Sequence, residues 1–322
     1  GICSMKMTVL SPGPLSTVQD EGRFGFMSTG FSPGGAMDTY SMRIANILVG
    51  NAPGDGVIEM TMLGMSVSFS CTAVIALTGA DMEPAINGTP VAMYTAAEVH
   101  AGDILSMKMA RSGMRSYLAV AGGFDLPYAM GSMSTNLKCG LGGFSGRKLQ
   151  SGDEIPLRQS FSLAHLGNRK TEPENVYPDG IGIRVILGPQ EDYFTDKGIE
   201  TFLNTTYTVS EKSDRMGVRL DGDSIENKNG VDILSDGIAT GAVQIPASGT
   251  PIIMMADRQT TGGYAKIANV ISADLPKMAQ ARPGTRIRFT AVTEKEAVRL
   301  KKQQEQKLKA LAYMSVFAKQ RG

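Results

Sequence analysis

The chain has no tryptophan, only two histidines and only three cysteines in 322 residues, and each shortage excludes a chemistry. His100 and His165 stand apart with no second ligand at metal spacing, so neither a histidine metal centre nor a Ser-His-Asp triad is expected. Cys3, Cys71 and Cys139 are odd in number and widely separated, which excludes a thiol zinc knuckle and fits a reducing, cytoplasmic setting. No apolar run approaches the ~18 residues of a membrane span, and the opening GICSMKMTVL lacks the regions of a signal peptide. Lys and Arg number 32 against 31 Asp and Glu, so no basic footprint marks a nucleic acid or anionic membrane as partner. A small, roughly neutral molecule is the partner to expect.

Short apolar runs bounded by Gly, Pro, Asp and Asn are abundant. Thr8 to Leu10, Ser66 to Phe69, Val74 to Leu77, Arg184 to Leu187 and Pro251 to Met255 read as strands. The 38 glycines supply the turns between them. Helical period is clear only over Met37 to Leu48 and from Thr293 to Gln320, the latter an amphipathic helix solvated on one side. The pattern predicts a mainly β, α+β protein, and the length predicts two domains.

Four short blocks recur in the same order about 180 residues apart, the mark of tandem related domains. Val9-Leu10-Ser11-Pro12 answers to Ile186-Leu187-Gly188-Pro189, and Asp38 with Arg43 to Asp214 with Arg219. Gly56-Val-Ile-Glu59 with Gly64 answers to Gly241-Ala-Val-Gln244 with Gly249, and Gly102-Asp-Ile-Leu to Gly284-Thr-Arg-Ile. A first domain over 1–170 would carry an insertion at 112–156, a second would span 171–292, and a helical tail 293–322. The polar stretch Gly167 to Asp179 reads as a linker.

Two tripeptides Met-Lys-Met invite a biotin reading at Lys6 and Lys108. Lys6 has almost no chain before it and Lys108 falls in an apparent strand, so no covalent biotin is expected. The run Asp257-Arg-Gln-Thr-Thr-Gly-Gly-Tyr264 follows a strand and places hydroxyls, an amide and bare backbone where a ligand can approach. Ser213 to Leu220 joins Asp214 to Arg215 and Arg219, and Gln19-Asp20-Glu21-Gly22-Arg23 joins carboxylates to a guanidinium; both suit recognition of a planar anion as well as an ordinary ion-paired turn. The loop GLGGFSGR, residues 140–147, has glycines at the wrong spacing for a dinucleotide, and no Gly-Lys-Ser/Thr phosphate loop occurs.

Several runs together resemble the KipA family, which is also known as allophanate hydrolase subunit 2 or biotin-dependent carboxyltransferase and includes the C-subunit of bacterial 5-oxoprolinase. They are TVQDEGRFGF (Thr17–Phe26), GAMDTYSMRIANILVGN (Gly35–Asn51), SYLAVAGGFDLP (Ser116–Pro127), GSMSTN (Gly131–Asn136), SDRMGVRL (Ser213–Leu220), GAVQIPASGTPI (Gly241–Ile252) and DRQTTGGY (Asp257–Tyr264). The resemblance covers residues 7 to 292 and implies two tandem cyclophilin-like β-barrel domains. It implies one component of an ATP-dependent 5-oxoprolinase, which converts 5-oxoproline to glutamate with a KipI-type subunit (the B-subunit) and a third subunit, ATP being used with those partners. It equally accommodates a biotin-dependent carboxyltransferase acting on urea or an amide, or a regulator antagonising an inhibitor of a sensor kinase.

On this reading the site lies where the repeats face each other. Asp257 would transfer a proton, Arg215 would offset oxyanion charge and Gln244 would hydrogen-bond the reacting amide. Gln259, Thr260, Thr261, Tyr264, Asp214, Gln19, Asp20 and Arg23 would bind substrate. No metal is expected.

Overall fold

The structure is a computed structural model that describes residues 4–167, 169–173 and 177–320, with side chains of the last helix described to 314. Cys3 lies outside the described residues. The chain forms two compact units, 1–23 with 34–176 and 306–322, and 24–33 with 177–305. The protein is mainly β.

The first unit runs through β1 (Lys6–Ser11), β2 (Ser16–Gln19), α1 (Thr39–Leu48), β3 (Val57–Thr61), β4 (Ser66–Phe69) and β5 (Ala73–Gly79). It continues with β6 (Ala85–Ile86), β7 (Thr89–Pro90), β8 (Ala97–Val99), β9 (Ile104–Ser106), β10 (Arg115–Val120), β11 (Glu154–Pro156) and α2 (Leu163–Leu166). A six-stranded sheet, β11-β1-β4-β9-β6-β7, lies with a five-stranded sheet, β2-β3-β10-β5-β8. Met7, Val67, Leu77 and Leu118 belong to one core cluster of the two sheets. Val74, Ala76, Tyr117 and Ala119 cluster instead with α1. The five-stranded sheet is thus covered on both faces, which is why β5 and β10 are buried at every position and read as unbroken apolar runs. Asp38 starts α1 by accepting hydrogen bonds from the Ser41 N–H at 2.9 Å and hydroxyl at 2.6 Å.

The second unit contains β12 (Gly180–Leu187), α3 (Asp196–Asn204), β13 (Tyr207–Val209), β14 (Gly217–Asp221), β15 (Asp232–Gly237) and β16 (Ala242–Gln244). Then come β17 (Ile252–Met254), β18 (Thr261–Tyr264), β19 (Lys266–Val270), α4 (Leu275–Gln280), β20 (Arg286–Ala291) and α5 (Glu294–Gln320). Seven strands close a barrel in the order β12-β19-β16-β17-β14-β13-β20, while β15 and β18 form a separate two-stranded arm. The barrel closes through a parallel β12–β20 pair. The Phe202 ring of α3 stacks on Phe289 of β20, centroids 4.5 Å apart. Among the described residues no helix is long and apolar enough to cross a membrane.

Three of the four repeated blocks fall on like elements: the ends of β1 and β12, the entries to β3 and β16, and the entries to β9 and β20. Gly102 and Gly284 both turn the chain two residues before a strand with φ of 89° and 91°, a region glycine enters without strain. The fourth block does not match: Asp38 caps a helix, whereas Asp214 closes a turn by accepting from the N–H groups of Met216 and Gly217 at 2.8 and 3.2 Å.

Three boundaries differ from the sequence reading. The stretch expected as an insertion at 112–156 begins with β10, a fully buried strand between β3 and β5. Its apolar run SYLAV needs both sheet faces covered, so it belongs to the core. The linker expected over Gly167 to Asp179 is anchored where described: Arg169 is buried and donates to the carbonyls of Leu166 and Ile47, and the Thr171 N–H bonds Tyr94. The tail from Thr293 is not a body of its own, because 294–305 groups with the second unit and 306–322 with the first. Leu308 joins the cluster that contains Leu48 of α1.

Candidate functional site

DRQTTGGY splits into a turn and a strand. Asp257 lies in the turn three residues past the end of β17, and its carboxylate takes a two-pronged bond from Arg215, Nε to Oδ2 at 2.9 Å and Nη2 to Oδ1 at 3.2 Å. The backbone repeats the link, with the Asp257 N–H donating to the Arg215 carbonyl at 2.9 Å. Arg215 is buried and the Asp257 side chain is 21% exposed. Such a charge-assisted fork engages both carboxylate oxygens. The pair ties the SDRMG turn to the segment that follows β17, so the roles expected of Asp257 in proton transfer and of Arg215 in oxyanion stabilisation would have to be performed from within this ion pair. Asp214 holds its own turn through Oδ1, which accepts from the Met216 and Gly217 N–H groups.

Gln244 stands elsewhere on the barrel, opposite Ile252 at the start of β17 and opposite Lys266 at the start of β19. It is buried, and its Nε2 has no hydrogen-bond partner. Lys266 is buried too, and its Nζ lacks a hydrogen-bond partner; the exposed Asp236 of β15 comes only to 3.7 Å. Residues opposite one another on neighbouring strands project to the same side of the sheet. The arm completes the enclosure: Asp236 pairs with Gly262 of β18, and a Cβ on Gly262 would stand 2.6 Å from Gln244 Nε2 and 2.8 Å from the tip of Ile238. Gln244, Lys266, Asp236 and Gly262 thus form a closed ring of neighbours.

An unpaired buried donor costs about 1–3 kcal/mol, and more when charged. Two of them side by side form an arrangement suited to an incoming acceptor. Lys266 was missed in the sequence because it lies two residues beyond DRQTTGGY and nothing in its neighbours marks it as buried; a lysine opening an apolar strand, KIANV, was the available signal. Gln259, Thr261 and Tyr264 are exposed on the turn and arm, and Thr260 is partly buried with its carbonyl accepting from the Ile238 N–H at 3.1 Å.

The first-unit candidates bond to their own chain, Gln19 through its Nε2 alone, its buried Oε1 having no hydrogen-bond partner. Asp20 accepts from the hydroxyls of Ser132 and Ser134 at 2.6 and 2.7 Å, from Met133 N–H at 2.7 Å and from Gly22 N–H at 2.9 Å. Arg23, 1% exposed, donates to the carbonyls of Ala129 and Ser134 at 2.8 and 3.0 Å. Burial draws its pKa down although Asp20 opposes the shift. Gln19 donates to Thr17 at 3.0 Å and to the Thr135 carbonyl at 3.4 Å. Gln19, Asp20 and Arg23, expected to bind substrate, hold the GSMSTN loop through these bonds. Glu59, the counterpart of Gln244 in the repeat, accepts from the Tyr117 hydroxyl and Met37 N–H, both at 2.8 Å. Burial, then the charges of Glu59 and Asp38, push the Tyr117 pKa well up, so its hydroxyl stays protonated.

The glycine-rich loop 140–147 does not fit a nucleotide phosphate. A Cβ at Gly142 would meet the Ser134 carbonyl, at Gly143 the Thr135 side chain and at Gly146 the Gly140 backbone, so these glycines serve packing onto the GSMSTN loop. Neither biotin tripeptide sits on a free tip. Lys6 lies within β1 and pairs with Glu154 at 2.8 Å. Lys108 lies past β9, which ends at Ser106 sooner than the sequence suggested, with its main chain bonded to Met82 and Gly64. Among the described residues no three His, Cys, Asp or Glu side chains are placed to hold a metal ion.

Residues 29–291 match the profile of the carboxyltransferase domain, subdomains A and B. The chain belongs to this carboxyltransferase domain family. Within the family it is 41% identical over 303 residues to the 5-oxoprolinase C-subunit of Haemophilus influenzae, covering 92% of this chain and 94% of that protein. It is 38% identical to the 5-oxoprolinase C-subunit of Escherichia coli, covering 95% of this chain and 98% of the relative. The crystal structure of the K. lactis urea amidolyase superposes with a TM-score of 0.89 at 31% identity over 97% of this chain, yet the match spans only 20% of that larger protein.

Proposed function

We propose that this carboxyltransferase-family chain is the C-subunit of an ATP-dependent 5-oxoprolinase, acting in the cytoplasm with a KipI-type subunit and a third subunit to open 5-oxoproline to glutamate. The observation that carries the reading is coextension: the chain and the two bacterial 5-oxoprolinase subunits cover each other over more than nine-tenths of their lengths. The substrate is a small ring amide, and its proposed site lies on the second unit. The exposed Thr261 and Tyr264 and the half-buried Thr260 of the arm are its proposed contacts, with Gln259 at the rim and Gln244 donating from below. The nucleotide is assigned to the partner subunits, since the glycine-rich loop of this chain is closed on itself. This chain would orient the ring amide, and no step through ATP is assigned to its residues.

The test is reconstitution. Purified with a KipI-type partner and the third subunit, the assembly is expected to release glutamate from 5-oxoproline only when ATP is supplied, and each subunit alone is expected to be inactive. Absence of ATP-dependent release from the full assembly would overturn the reading. A second reading, carboxyl transfer from a biotinyl protein to urea or an amide, is favoured by the likeness to the urea amidolyase structure. It requires biotin-dependent incorporation of bicarbonate, which the same purified assembly can be asked to perform.

A further inference from the structure

We propose that Gln244 and Lys266 form a binding subsite for a carboxylate group, and that this subsite holds the carboxylate of the ring amide. The second clause rests on the function proposed above; the subsite itself rests on geometry alone. Both available groups are donors, an amide N–H2 and an ammonium, and neither has a hydrogen-bond partner. They face each other across β16 and β19. Lys266 is 3% exposed and Gln244 6%. A ligand entering here must be an acceptor, and the lysine favours a negative one.

The number of groups narrows the class further. One cation and one neutral donor match a monoanion with two acceptor oxygens. A phosphate would bring more oxygens and more charge than the pair can satisfy. The nearby Gln190 Oε1 accepts from the Lys266 backbone N–H at 3.0 Å. Asp236, 62% exposed at the rim and 3.7 Å from Nζ, is too distant for a hydrogen bond and can swing into water when an anion arrives. The equivalent place in the first unit has no such capacity, because Glu59 is an acceptor already bonded by Tyr117 and Met37.

The experiment is isothermal titration of the full chain with 5-oxoproline, acetate, inorganic phosphate and 2-pyrrolidinone, the last being the same ring amide without its carboxylate. Binding of 5-oxoproline and acetate is expected, with 2-pyrrolidinone and phosphate at least tenfold weaker. Lys266→Met and Gln244→Met are each expected to weaken 5-oxoproline binding tenfold or more without lowering the melting temperature. Where a variant melts early, Lys266→Arg, which keeps the charge, is expected to retain binding. Equal affinity for 2-pyrrolidinone, no binding of either carboxylate, loss of binding in Lys266→Arg, or wild-type affinity in both methionine variants overturns the subsite. Carboxylate-dependent binding without glutamate release by the assembly would leave the subsite standing and remove 5-oxoproline as substrate. Glutamate release with carboxylate-independent binding would do the reverse.

Discussion

Asp257 and Arg215 have the right residue types for catalysis and the wrong surroundings. A carboxylate held in a two-pronged bond by a buried guanidinium at 2.9 and 3.2 Å has each oxygen bonded to the same partner. Asp257→Asn is therefore expected to cost about 3 kcal/mol of stability, the usual penalty for stranding one member of a buried pair. The folded fraction should keep the pH profile of the assembly, checked by urea denaturation beside a pH–rate curve. A profile that loses a limb would return Asp257 to a proton-transfer role. Gly262 makes the opposite case. A methyl there would meet Gln244 Nε2 at 2.6 Å and Ile238 at 2.8 Å, so Gly262→Ala forces the amide aside. Overpacking of this kind costs about 1–3 kcal/mol, and here it should appear mainly as a five- to tenfold rise in KM.

At the scale of elements, the contact of β12 with α4 depends on one buried carboxylate. Asp274 accepts from the Arg184 backbone N–H at 2.8 Å and from its guanidinium at 2.9 and 2.7 Å. Burial pushes its pKa up, but the Arg184 bonds and the Lys277 charge outweigh burial and the net shift is downward. A folded-state pKa below the unfolded value means that the stabilisation is complete above the unfolded carboxylate range and is lost as pH falls through the folded pKa. Asp274→Asn should accordingly destabilise most at pH 7, by about 3 kcal/mol because Arg184 is one-third exposed. The gap to wild type should shrink below about pH 4, as read from urea midpoints at pH 7 and pH 3.

For the molecule as a whole, α5 is the element whose residues are shared out. Residues 294–305 group with the second unit and 306–322 with the first. Leu308, 9% exposed, joins the cluster around α1, with Leu311 and Ala312 packed against it. Leu308→Ala is expected to cost about 2 kcal/mol, at the low end for burial of a leucine. Ending the chain after Glu305 should cost at least as much. Differential scanning calorimetry would show either as a lower melting temperature. A truncated chain melting with the wild type would mean that the tail is a free helix, as its charge first suggests.

Much of the architecture was determined by the sequence alone, because it depends on local pattern. Apolar runs between turn residues marked β1, β4, β5, β12 and β17, and the period over Met37 to Leu48 marked α1, since backbone pairing and burial respond to neighbours along the chain. The family was legible in SDRMG and DRQTTGGY for the same reason. Partnership was not legible. Asp20 and Arg23 looked like ligand-binding groups until the fold brought Ser132 and Ser134, over 100 residues away, to occupy them. Lys266 carried no mark in the sequence, and its burial comes from β16 placing Gln244 opposite it and the arm bringing Asp236 to 3.7 Å. A carboxylate paired inside the chain and one waiting for a ligand are spelled identically; only long-range packing decides which polar groups are satisfied from within.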